Sequence, residues 1–208
     1  MKYAFLSGFC WIAVVCTAVA QTEKCTASCS VPGFEAKETE ALTPQPTPTD
    51  GSCHVGTKDG FPIPDPHCTP GAINKTVTVA VLKDRRFETC CVRDHIESEE
   101  AKDVAYKWYG IPVPEQNEGQ NQVCELDHLV PLELGGADSM DNIWPQCGPD
   151  SVTLDQRYFK QKDMVEFYLA DQVKAGNMDQ ATAQREIAAD YTQFLDAARA
   201  YCKSNHCE

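Results

Sequence analysis

The sequence predicts an α+β domain, stapled by disulfides and carrying an irregular Pro/Thr-rich arm on its N-terminal side. Three observations predict it. The C-terminal third repeats apolar residues at helical spacing, and the run Thr76-Val77-Thr78-Val79-Ala80-Val81-Leu82 alternates β-branched residues as a strand would. Of the 12 cysteines, 10 lie beyond residue 20. An even set of that size in an exported chain reads as up to five disulfides, whose connectivity the sequence leaves open.

Residues 1–20 read as a secretory signal. Lys2 supplies the positive start, Phe9 to Val15 an apolar run too short to span a bilayer, and Ala18-Val19-Ala20 a small-residue cleavage site before Gln21. The expectation is a secreted, extracellular protein of 188 residues with no membrane attachment after cleavage, long enough for one domain with a core. Residues 21–66 form the arm, which contains Thr43-Pro44-Gln45-Pro46-Thr47-Pro48-Thr49 and Pro62, Pro64 and Pro66; such composition favours extended, hydrated chain. Its cysteines, Cys25, Cys29 and Cys53 with Cys68 just after, imply that parts of it are tied to the domain at 67–208. There, Thr76 to Leu82 is a strand or a short helix. Ser98-Glu99-Glu100 opens a helix that runs through Trp108 and stops at Gly110, with Pro112 beyond. Pro114 to Gln122 is polar and reads as a loop.

Asp155 to Lys174 fits one helix, with Phe159, Met164, Val165, Leu169 and Val173 toward a core and Gly176 just past its end. Asp179 is placed to cap a second, whose apolar positions are Ile187, Tyr191, Phe194, Leu195 and Ala198. The short connection predicts an antiparallel pair, and Cys202 and Cys207 tie the end. Asn74-Lys75-Thr76 is a glycosylation sequon.

The formal net charge is −13, and −14 once Lys2 leaves with the signal. This excludes a protein that coats nucleic acid by bulk electrostatics, because such binding needs many Lys and Arg against phosphates. An enzyme with a local cationic groove is not excluded, but its hold on long duplexes should be weak and salt-sensitive. The chemistry is concentrated in Cys124-Glu-Leu-Asp-His-Leu-Val-Pro-Leu-Glu-Leu-Gly-Gly-Ala-Asp-Ser-Met-Asp-Asn142. Asp127 and His128 are adjacent, Gly135-Gly136 follows, and Asn142 lies 15 residues beyond Asp127. His128 takes a proton near neutral pH more readily than any other side-chain type here, which makes it a candidate general base. Asp127 offers a hard oxygen suited to Mg²⁺ or Mn²⁺. Together they form a compact kit for metal-assisted hydrolysis of a phosphodiester.

The stretch Glu125-Leu-Asp-His-Leu-Val-Pro-Leu-Glu-Leu-Gly-Gly, followed by Asp141-Asn-Ile-Trp-Pro, resembles an HNH nuclease core, the ββα-metal or His-Me finger. Thr69 to Ala72 upstream and Lys162, Asp163 and Glu166 downstream resemble segments of small HNH-like proteins, so the likeness covers roughly residues 66–200. The resemblance implies a ββα core with flanking helices and a local bend or bulge in the first strand that lets Asp127 and His128, on opposite faces, address one phosphate. It implies that Asn142 holds the loop carrying His128 while Gly135 and Gly136 supply the turn. The residue usual at a third position, a His or Asn, is here Ser151. Asp150, Asp155, Gln156 and the Lys162-Asp163 pair are the nearby replacements, with Asp163 as second metal candidate, Lys162 as phosphate contact, and Arg157 and Lys160 as helpers. Many HNH proteins carry two Cys-x-x-Cys pairs for zinc. Only Cys124 and Cys147 flank the core here, which implies a disulfide between them instead.

The functional expectation is therefore a secreted, divalent-metal-dependent endonuclease acting on DNA or RNA, with no obligate protein partner. The alternative is a degenerate HNH-like protein serving as a binding module, and a third possibility is a purely structural Asp127-His128 pair. Cys53-His54 and His67-Cys68 read as disulfide cysteines rather than zinc ligands, and Cys90 and Cys91 as cysteines with different partners. His95, beside Asp94, reads as a surface residue. Trp108, Tyr109, Tyr191 and Phe194 read as core.

Overall fold

A computed structural model describes residues 25–93 and 102–207. The signal segment, Asp94, His95 and the Ser98–Glu100 helix start lie outside the described residues. The elements run β1 (Thr39–Ala41), β2 (Gly56–Lys58), β3 (Phe61–Ile63), β4 (Ala72–Asn74), α1 (Val79–Leu82), α2 (Val104–Trp108), β5 (Cys124–His128), β6 (Ile143–Cys147), α3 (Tyr158–Ala175), α4 (Gln180–Asp190) and α5 (Leu195–Asn205). The fold is α+β, with three two-stranded antiparallel sheets, β1–β4, β2–β3 and β5–β6. No helix among the described residues is long and apolar enough to cross a membrane.

The arm is more ordered than its composition predicts. β1 pairs with β4 from Thr39↔Asn74 to Ala41↔Ala72, and β2 and β3 form a hairpin. Proline costs little here because each sheet has only two strands, so Pro62 removes no central ladder bond. Disulfides Cys25–Cys90, Cys29–Cys91 and Cys53–Cys68 fasten the arm, and the adjacent Cys90 and Cys91 take different partners. Cys124–Cys147 and Cys202–Cys207 complete five pairs among the described residues.

Residues 79–82 are a helix, not a strand. Thr78 caps it by accepting from the Val81 N–H, and its buried face, Val81 and Leu82, packs with Val77, Phe87, Val92 and Leu132. One cap and a tertiary pocket outweigh the weak β preference of four residues. The long C-terminal helix begins at Tyr158, after a 3-10 turn at Leu154–Gln156, and ends with Gly176 in the left-handed conformation at φ 81°. Asp179 caps α4 through the Thr182 N–H as expected. The expected single second helix is broken, because the Asp190 carboxylate accepts from the Thr192 N–H and starts a new turn at Tyr191–Phe194. Val165, Leu169, Val173, Ile187, Tyr191, Leu195 and Ala198 then close one core against Val130 and Leu134. Trp108, Tyr109 and Tyr191 are buried, and Phe194 is half-buried against that core.

The Asn74 sequon is closed in the folded chain. Asn74 is 1% exposed, and its Nδ2, the atom a glycan would occupy, donates to the Glu35 and Ala36 carbonyls at 2.9 and 3.0 Å. The expectation of a glycan here is therefore corrected for the folded chain, since attachment would break both bonds and expel a buried group.

Candidate active site

β5 and β6 pair in unbroken register, Cys124↔Cys147 through Asp127↔Trp144 to His128↔Ile143, and the disulfide joins the first pair. Of the bend or bulge implied by the resemblance, the unbroken register leaves no room for a bulge. Asp127 and His128 both line one cavity of about 210 Å³ because they end the strand, where the chain turns away and opens both faces. α3 follows β6 and packs against the hairpin, so the local order is strand, strand, helix.

Asn142 organises the connecting loop. Its Oδ1 accepts from the Val130 N–H at 2.8 Å, and its Nδ2 donates to the Val130 and Ala137 carbonyls at 2.8 and 2.9 Å. The side chain is fully buried and stitches both ends of the loop after His128 to the start of β6. Gly135 adopts φ 85°, and a Cβ on Gly136 would sit 1.8 Å from the Val130 carbonyl oxygen. Neither position accepts a side chain without moving the loop.

His128 is buried, and its Nε2 lies 2.8 Å from Asp138 Oδ1, which also receives Lys102 Nζ at 2.9 Å. Burial alone would raise the Asp138 carboxyl, but the His128 and Lys102 contacts outweigh it and hold it at about 2. An ionised Asp138 requires a proton on His128 Nε2. Burial, opposed by Asp138, lowers the His128 pKa, so the ring is neutral near pH 7 with Nδ1 as its basic nitrogen. Asp138 and Lys102 were not anticipated. A carboxylate ten residues past the histidine, just after the glycine pair, was the one signal for Asp138; nothing local points to Lys102.

Lys162 is fully buried, with Nζ 3.0 Å from Asp127 Oδ2, 2.7 Å from the His128 carbonyl oxygen, and in contact with Glu166. It reaches the hairpin from one turn inside α3. Its ammonium is enclosed by oxygens of the chain itself, so it positions Asp127 and the β5 end instead of presenting charge to a phosphate. Arg157 is turned toward the Pro149 carbonyl, and Lys160 pairs with Asp163 at 2.7 Å. Ser151, Asp150, Asp155 and Gln156 lie away from the cavity, whereas Asp163 lines it together with Glu125, Glu133 and Glu166.

The cavity is rich in strained acid. Burial first, then repulsion from Asp127 and Asp163, pushes the Glu125 carboxyl up to about 7, and burial pushes Glu133 up to about 7 against the pull of Lys174. Burial also raises Asp127 and Glu166, with Lys162 opposing. Because Glu125 and Glu133 bind protons more tightly folded than at their usual 4.5, their contribution to stability is complete at acid pH and is lost as pH rises toward 7. His128 acts in the opposite sense over the lower part of that window. Glu125→Gln is expected to raise Tm at pH 8, by roughly 2–4 °C per kcal/mol relieved, and to change it little at pH 5. An equal shift at both pH values would contradict the burial argument.

The donor type here, carboxylate oxygen, is the one a hard divalent cation takes. Several carboxylates share one cavity, and the buried Asp127 Oδ2 takes no hydrogen bond although the Lys162 ammonium is near. Such an ion would keep several waters. Among the described residues, the only three His, Cys, Asp or Glu whose ligand atoms lie within 4.8 Å of one another are Cys25, Cys90 and Cys91, which are consumed in disulfides. Comparison with known proteins found no matching family model, no matching curated protein and no matching solved structure.

Proposed function

We propose that this chain is a metal-dependent, HNH-like endonuclease that hydrolyses phosphodiester bonds, acting outside the cell. One observation carries the reading. His128, oriented by the Asp138 carboxylate, and the carboxylates of Asp127 and Asp163 line one cavity, beside a loop held by Asn142. Five disulfides support an oxidising, extracellular location.

In this mechanism His128 Nδ1 accepts the proton of the attacking water, and Asp138 stabilises the imidazolium that results. Lys102 holds Asp138 ionised, which fixes the tautomer throughout. Lys162 holds Asp127 by its carboxylate and β5 by the His128 carbonyl. Asp127, with Asp163 beside it, would hold Mg²⁺ or Mn²⁺, which when bound supplies positive charge to the phosphate and the leaving oxygen.

A second reading, a binding module descended from such an enzyme, is favoured by the ion pair of Lys162 with Asp127, which supplies positive charge where a metal would act. Thermal unfolding with and without Mn²⁺ separates the two. The enzyme reading predicts a higher Tm with the ion, worth about 2.7 kcal/mol at a hundredfold excess over Kd, and loss of that rise in Asp127→Asn. No rise in the wild-type protein would favour the binding module.

A further inference from the structure

The cavity holding His128 does not end at the catalytic groups. It shares Thr89, Glu133 and Phe167 with a second cavity of about 360 Å³, whose floor is apolar: Leu82, Phe87, Phe167 and Ala170. That volume falls within the range of small-molecule sites, roughly 300–1,000 Å³. Both cavities lie along one face of α3. Asp163 and Phe167 are one turn apart, and Lys174 lies two turns beyond Phe167, so Asp163 to Lys174 spans roughly 16 Å at 1.5 Å per residue. Phe167 is half-buried at the junction, and Lys174 stands at the far rim.

We infer that the second cavity is a nucleobase subsite, and that the substrate is single-stranded or unpaired nucleic acid with one base stacked on Phe167 beside the scissile phosphate. The inference rests on the nuclease reading of the His128 cavity and names its substrate class. Three observations carry it. An apolar, aromatic floor edged by Glu88, Thr89, Glu133 and Asp171 suits a planar group with polar, hydrogen-bond-donating edges, which is the chemistry of a base. Continuity with the His128 cavity places that group next to the phosphate on which the histidine acts. Charge then decides between strands. Among the described residues, Arg93 is the one cation lining the His128 cavity and Lys174 the one cation lining the second. In a chain of net charge −13 these two cannot hold a duplex by its phosphates. Binding must come from stacking, and a base in the Phe167 pocket has to be out of its helix. Arg93, two residues after the disulfide-bonded Cys91, lines the His128 cavity, where the phosphate would lie.

The test is fluorescence anisotropy with a labelled single-stranded oligonucleotide, its duplex, and the same strand carrying abasic sites, at low salt, followed by cleavage of the same three probes. The wild-type protein is expected to bind the single strand at least tenfold more tightly than the duplex or the abasic strand. Phe167→Ala should weaken that binding roughly 5- to 100-fold, and Phe167→Tyr should retain it, which separates stacking from a folding defect. Equal affinity for duplex and single strand, or for abasic and intact strands, overturns the inference. Cleavage without strand preference would overturn the subsite and leave the nuclease reading standing. Strand preference without cleavage would keep the subsite and remove the nuclease.

Discussion

His128→Ala is expected to lower phosphodiester cleavage by about 10²- to 10⁴-fold, the usual worth of a positioned general base. The same variant should fold. Removing the imidazole leaves Asp138 paired with Lys102 at 2.9 Å, so no buried carboxylate is abandoned. The loop beyond His128 keeps its stitches, because Asn142 bonds to Val130 and Ala137 and not to the histidine ring. Tm close to wild type together with lost cleavage is the expected pair of results. Undiminished cleavage would remove His128 from the chemistry, and a collapse in Tm would make it a structural residue.

The largest expected effect on stability belongs to Lys162→Met. The substitution keeps the length of the side chain but strands Asp127, Glu166 and the His128 carbonyl in a buried site. Breaking one side of such a cluster costs about 3–5 kcal/mol. The loss should be smaller in acid. Asp127 and Glu166 already have raised pKa values, so in the variant they take up protons as pH falls and shed the uncompensated charge. Urea unfolding at pH 5 and pH 8 reads both effects. A loss below about 1 kcal/mol at pH 8, or the same loss at both values, would contradict the picture of an enclosing ion cluster.

How much of this was legible in the sequence follows the range of the interactions. Asp127, His128, Gly135, Gly136 and Asn142 lie within one short stretch, and the loop bonds of Asn142 span 5 and 12 residues, so a local motif and its resemblance expose the unit. The Cys124–Cys147 pair was legible only through the resemblance, as the replacement for a zinc site that two cysteines cannot build. Lys102 and Arg93 come from a separate segment and reach the site only through tertiary packing. Phe167 carries no motif, and its place between two cavities depends on how α3 lies against the hairpin. Thr76 to Leu82 misleads because β-branched alternation is a weak preference that a Thr78 cap and a buried face override. The break at Asp190 was hidden by apolar spacing that stays helical across it, while one side-chain bond to the Thr192 N–H decides the backbone.

The central claim is tested most directly by incubating purified, oxidised protein with single-stranded DNA, plasmid DNA and structured RNA in Mg²⁺, Mn²⁺ or EDTA. The account predicts metal-dependent cutting of at least one polymer, abolished by EDTA. Folded protein that cuts none of them under either metal would contradict it.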